Sequence, residues 1–408
     1  MLLAAFSFTE AQRTREGVES TLDALSELVE HELNSELDPL DNESGELGFK
    51  DDYDRAFLTI TLGLASTVFD LLGTAAEERP QDLRPIPWGQ LEDAPANQAS
   101  GDIVLQVCAD NLYICEHVVR RVQHDLGERL TLAFSHIGSQ RYNSRPGRTS
   151  KREGRALIGF LDGTSNLDPR GSEDDAKLVF VDPTNVGDYP PNPEPAPPAE
   201  AVSPYGGGGQ AGVGPHFPAD LASVPTAEPK WANRGTYMTI RVSAFPTSAW
   251  DAITQADQQK AVGRFKRSGA SLDLPEDSAP SDPPAFASDQ SKTDVGLRAH
   301  IRKANPRAAA DDSKRRIFRR GYPLIDSADG GELRRGLIFV SFARTISTQF
   351  EFIFRGWMRN PNFPVEGSGN DELLFERLGE QVLGGGYYFV PPVKEKSRPW
   401  AWRYQEDA

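Results

Sequence analysis

Apolar positions change period several times along the chain, and each change marks an element. Leu2 to Phe8 is an apolar run of strand length. After it Val18, Leu22, Leu25, Leu28, Val29 and Leu33 recur three or four apart, predicting a strand that leads into an amphipathic helix. Phe57 to Leu62 reads as a second strand, Thr67 to Leu72 as a short helix and Ile103 to Cys108 as a strand. Tyr113 to Leu126 reads as a helix and Leu130 to Phe134 as a closing strand. The second half repeats this order. Tyr237 to Val242 is β-rich, Ser248 to Phe265 helical, Leu337 to Phe342 a strand, Thr348 to Met358 helical and Tyr387 to Val390 a last strand.

Two βα…βαβ halves predict an α+β chain of two tandem ferredoxin-like domains with antiparallel sheets. A length of 408 residues agrees, being too great for one hydrophobic core. The expected units are residues 1–150 and 235–408. Between them, 171–234 is dense in proline, carries Gly206 to Gly209 and shows little periodicity, so 151–234 reads as a loop followed by a long insertion or linker. The glycine run lacks a following Gly-Lys-Ser/Thr and is not a phosphate-binding loop. Leu274 to Thr293 interrupts the second half in the same way.

Charge narrows the partners. Sixty acidic against 44 basic residues leave a net charge of -16, which repels nucleic acid and anionic membrane and points to a small-molecule substrate. Most of the positive charge is arginine, a balance expected of a protein kept soluble in concentrated salt. The longest apolar stretch, Ala56 to Leu72, is broken by threonines, serine and Asp70 and is not expected to span a membrane. The start MLLAAFSFTE lacks a basic region or twin arginine, so as written the chain is expected to be cytoplasmic, with export the alternative if the true start lies upstream. Cys108 and Cys115 make no disulfide framework and are expected to be buried, inert thiols.

Six histidines occur, and none forms an HExxH or a close pair suited to zinc. Metal chemistry would then rest on a cofactor that brings its own ligands, such as a haem held by one axial histidine. Read alone, His300 in RAHIRKANPR is a surface histidine, Asp162-Gly163 a turn pair, and Arg319-Arg320 a charged helix end or turn.

Taken in order, GFLDGTSN (159–166), HIRKANPR (300–307) and RRGYP (319–323) resemble the dye-decolorizing peroxidase family, in particular its deferrochelatase-like branch. SGDIVLQVCADN, GTYMTIRV, AVGRFKRSGASL, GLIFVSFA and GGGYYFVPP extend the resemblance over nearly the whole chain. It implies a fold of the dimeric α/β-barrel type and one haem b per chain, with His300 as the proximal iron ligand. Asp162 is implied as the distal acid–base residue, Arg319 as the distal arginine and Asp371 as the carboxylate behind His300. Gly163, Thr164, Ser165, Asn305, Pro306 and Arg307 match haem-edge segments. Leu337 and Phe339, two apart on one strand face, match apolar residues of the peroxide side, where ordinary core packing is an equal alternative.

The implied substrates are hydrogen peroxide and small organic reductants, and a homo-oligomer is compatible with the family. Trp357, Trp400, Trp402, Tyr387 and Tyr388 are candidate electron relays. The chain departs from the family where Asn166-Leu167-Asp168-Pro169 stretches the usual Asn-Pro, and its end, RPWAWRYQEDA, shows no long cargo tail. Two other functions stay open on the same scaffold: release of iron from haem with the ring intact, and haem carriage or sensing. A carrier has no need of Asp162 and Arg319.

Overall fold

The computed structural model describes residues 1–34, 57–91, 100–139, 154–184, 227–288, 295–307, 310–327 and 333–392. Its strands are β1 (Leu2–Phe8), β2 (Thr59–Leu64), β3 (Ile103–Cys108), β4 (Leu130–Ile137), β5 (Thr236–Pro246), β6 (Phe318–Ser327), β7 (Leu333–Ala343) and β8 (Gln381–Val390). They form one antiparallel sheet in the order β4-β1-β3-β2-β8-β5-β7-β6. Each half therefore runs fourth, first, third, second strand, the ferredoxin-like order expected.

The halves are not two separate sheets, however. Leu64 of β2 pairs with Phe389 of β8 and makes them continuous. At the far side, the Ser139 amide donates to the Pro323 carbonyl of β6 at 3.1 Å, so the two outermost strands also meet. Side chains alternate across each strand. Leu3, Ala5, Val104, Met238, Ile240, Tyr322, Ile338, Val340 and Tyr388 pack together in the interior between the halves. On the opposite face of the first half, Leu22, Leu25 and Val29 of helix Arg15–Asn34 and Val118 and Val122 of helix Leu112–Asp125 cover the sheet.

Several elements depart from the sequence reading for identifiable reasons. The helix expected over Ser248 to Phe265 is two, Thr247–Asp251 and Gln255–Val262. The Thr254 hydroxyl accepts from the Asp257 amide and starts the second, a cap worth about 1 kcal/mol, and Gly263 at φ 91° ends it. The helix over Thr348 to Met358 is present but wound as π-helix over Ile346–Phe350 and Phe352–Met358, every residue of both segments buried. A helix without a polar face carries no stripe from which to read its winding. Strands β2, β4, β5 and β7 all run past their predicted ends.

The largest correction is β6, because Arg319 and Arg320 lie in a strand and not at a helix end or turn. Its charged pair, Gly321 and Pro323 all argue against a strand. Pro323 is tolerated because β6 ends the strand order, where a missing N–H interrupts no central ladder. Cys115 is buried as expected, whereas Cys108 is only partly so. Among the candidate relays Trp357, Tyr387 and Tyr388 are buried, and Trp400 and Trp402 lie outside the described residues, as do Gly206 to Gly209, the boundary at 150 and the terminal RPWAWRYQEDA.

Candidate active site

The helical face of the second half encloses a cavity of about 270 Å³. Alternate residues of its sheet supply one wall: Arg319 and Gly321 of β6, Leu337 and Phe339 of β7. The π-helical segment supplies another, with Phe350, Phe354 and Met358. Phe339, Phe350 and Phe354 run ring to ring at 6.0 and 5.8 Å, an apolar surface suited to a flat hydrophobic group.

His300 begins the helix His300–Ala304 and lines this cavity, with 29% of its side chain accessible there. Its Nδ1 lies 2.8 Å from Oδ2 of Asp371, which is fully buried. The other oxygen of Asp371 accepts the Leu374 amide at 3.1 Å, so one carboxylate caps the segment Leu373–Arg377 and holds the imidazole. Nδ1 is thereby engaged, and Nε2 is the nitrogen left to the cavity. Burial alone lowers the pKa of His300, but the charge and hydrogen bond of Asp371 outweigh it and the net shift is upward.

Asp162 comes from the segment after residue 154, far from His300 in sequence. Its amide donates to the Gly154 carbonyl at 2.9 Å, and its Oδ1 accepts the Gly163 amide at 2.7 Å. Oδ2 lies against Gly321, where a Cβ would fall 2.6 Å away. The Asp162 loop is clamped to β6 by Asn166, whose side-chain amide donates to the Arg319 carbonyl at 2.8 Å and accepts the Arg319 amide at 2.9 Å. The Arg319 guanidinium in turn donates to the Thr164 carbonyl at 3.0 Å, and Arg316 donates to that of Ser165 at 3.2 Å.

Arginine is crowded here. Burial first, then the charge of Arg319, pushes Arg264 down to about 10. Burial and the charges of Arg264, Arg316 and Arg319 push Arg307 to about 10. Arginine stays charged at neutral pH, so these shifts express cations held close together away from water, which a buried anion would relieve. Arg241 is different, since Glu380 neutralises it at 2.7 Å.

Ten of the twelve sequence-derived site residues line the cavity: His300, Asp162, Arg319, Gly163, Thr164, Ser165, Asn305, Arg307, Leu337 and Phe339. Asp371 stands behind His300, and Pro306 is buried outside the lining. Sequence reasoning missed Asn166, Arg264, Arg316 and Gly321. Asn166, Arg264 and Gly321 lie inside segments already quoted, and Arg316 carried no local signal. Among the described residues no group of three or more His, Cys, Asp or Glu side chains converges on a metal site.

Both halves of the chain match known families. The Dyp-type peroxidase N-terminal family matches residues 1–139 and the C-terminal family residues 217–395. The deferrochelatases of Escherichia coli K12 and Shigella flexneri are each 27% identical over 365 residues, 89% of this chain and 71% of theirs. Among solved structures, a DyP-type peroxidase from Cellulomonas bogoriensis superposes with a TM-score of 0.68 at 23% identity, covering 98% of this chain and 90% of its own. Ferric DtpA from Streptomyces lividans gives 0.68 at 21% identity over 96% and 88%. With both family halves matched in order across most of its length, the chain belongs to the Dyp-type peroxidase family.

Proposed function

We propose that this protein is a haem-dependent peroxidase that reduces hydrogen peroxide and oxidises small organic reductants, with His300 as the residue that would hold the haem iron and Asp162 and Arg319 as the peroxide-activating pair. The observation that carries the reading is that all three side chains line one cavity, His300 backed by a buried carboxylate. The residues fit haem on their own chemistry. One imidazole nitrogen is left to the cavity, stacked aromatics form a wall, and the arginines around Arg307 and Arg264 want the two propionates.

Haem bound there supplies the redox iron at which peroxide is reduced. Asp371 accepts a hydrogen bond from His300 Nδ1, which fixes the ring and strengthens it as a donor. Asp162 is placed to take the proton from one peroxide oxygen and return it to the other, so that the departing group is water and not hydroxide. Arg319, held by Thr164 and Asn166, presents a fixed positive charge to the negative charge that develops as the O–O bond breaks. Gly163, Thr164, Ser165, Asn305, Pro306 and Arg307 are read as the haem edge, and Leu337 and Phe339 as the apolar lining beside the peroxide.

Units 1–150 and 235–408 are read as the two domains, with 151–234 delivering Asp162 to the second. The acidic, arginine-biased composition is read as adaptation to salt, and a homo-oligomer as its assembly. No described helix is long and apolar enough to cross a membrane.

The test is to load the protein with haem, add hydrogen peroxide and record the visible spectrum. Conversion of the resting spectrum, followed by its return when a phenolic reductant is added, supports the reading. An unchanged spectrum overturns it. Free protoporphyrin appearing on incubation would instead favour iron release.

A further inference from the structure

On the other face of β6, one residue beyond the cavity-lining Gly321, Tyr322 points into the interior between the halves and is 5% exposed. That interior is otherwise largely apolar, yet two neighbours on β3 meet the phenol. Gln106 donates to Tyr322 Oη at 3.2 Å, and Cys108 Sγ lies 3.5 Å from the same oxygen. Residues 106 and 108 share one strand face. Either the phenol or the thiol can donate across that contact.

We propose that Cys108 and Tyr322 are a modification site, joined by peroxide turnover into a thioether that staples β3 of the first half to β6 of the second. This rests on the peroxidase reading for its oxidant. The bond formed is Sγ to the Tyr322 ring carbon ortho to Oη; the bonds broken are the thiol S–H and that ring C–H. Cys-SH, Tyr-H and one hydrogen peroxide give Cys-S-Tyr and two waters. The pair loses two electrons and two protons, and peroxide takes up both. The phenol is carried by the residue next to the cavity-lining Gly321, and the thiol is in direct contact with it. A thiol oxidised without such a neighbour would climb to sulfinic acid instead.

The experiment treats haem-loaded protein with a few equivalents of hydrogen peroxide and no reductant, followed by reduction with dithiothreitol, proteolysis and mass spectrometry. Expected are the Cys108 and Tyr322 peptides joined, lighter than their sum by two hydrogen atoms. The link should be absent in Cys108→Ala and Tyr322→Phe. Unfolding after treatment should shift to higher temperature only in the wild type, since the staple closes a loop over a separation of 214 residues.

Unlinked peptides in protein that has consumed the peroxide, with oxygen added at Cys108, Trp357 or Met358, would overturn the proposal and leave the function standing. A parallel sample is oxidised by light with tris(bipyridyl)ruthenium and persulfate, which needs no haem. A link formed there in protein that does not consume peroxide would uphold the reactivity of the pair and count against the function.

Discussion

Asp162 and Gly321 are matched by size: the carboxylate occupies the space that any side chain at 321 would take, with Oδ2 2.6 Å from the position of a Cβ. Gly321 is two residues past Arg319 on the same strand face, so β6 sets both members of the proposed peroxide-activating pair. Gly321→Ala is expected to push the carboxylate off its position without touching His300. The rate of peroxide reduction should fall by about 10- to 100-fold while haem binding stays at the wild-type level, measured by rapid mixing and haem titration. An unchanged rate would remove Gly321 from this role.

Asn166 makes two hydrogen bonds to the backbone of Arg319, standing in for one more strand beside β6. Removing both with Asn166→Ala should cost about 1–3 kcal/mol of stability and loosen the Asp162 loop. Chemical denaturation, with peroxide kinetics on the same sample, checks this. Stability lost with the rate intact would make Asn166 a fold residue only.

Much of this was legible beforehand, and the part that was not has a common cause. Strands β1 and β3 are buried on both faces and show as short apolar runs, while helix Arg15–Asn34 buries one face that three-to-four spacing exposes. Strand β6 hid because its cavity face carries Arg319 and Gly321, residues chosen for the site and not for strand propensity. The ordered motifs located His300, Asp162 and Arg319 within about a dozen residues of sequence each, but periodicity carries no information about Arg264 meeting Arg307 across the cavity. Cys108 read as inert because its partner, Tyr322, is distant in sequence and adjacent only once the outer strands meet.

Glu228 is 7% exposed, accepts the Tyr237 hydroxyl at 2.6 Å and accepts the Gln81 amide at 3.0 Å. Burial pushes its pKa up to about 7 against the opposing pull of those hydrogen bonds. The folded state therefore keeps a proton that the unfolded chain releases near its ordinary value of 4.5. This contribution is complete below that value, shrinks as pH rises and is gone above about 7. The fall is on the order of 3 kcal/mol. Glu228→Gln should flatten this pH dependence between pH 5 and 8 in denaturation experiments, and an equal slope in both proteins would assign it elsewhere.

The net charge of -16 leads to an expectation about salt. Added KCl screens repulsion between like surface charges, so the unfolding temperature should rise as KCl increases toward molar concentration. A flat or falling response would dismiss adaptation to salt.

The central claim is that Asp162 moves the peroxide proton in a cavity where His300 holds the haem. The most direct measurement mixes haem-loaded wild type, Asp162→Asn and His300→Ala with hydrogen peroxide and follows the haem absorbance in time. The expected result is rapid conversion in the wild type, conversion slowed by about 100- to 1,000-fold in Asp162→Asn with haem retained, and loss of the axial-histidine spectrum in His300→Ala. Wild-type speed in Asp162→Asn, or an unaltered resting spectrum in His300→Ala, would contradict it.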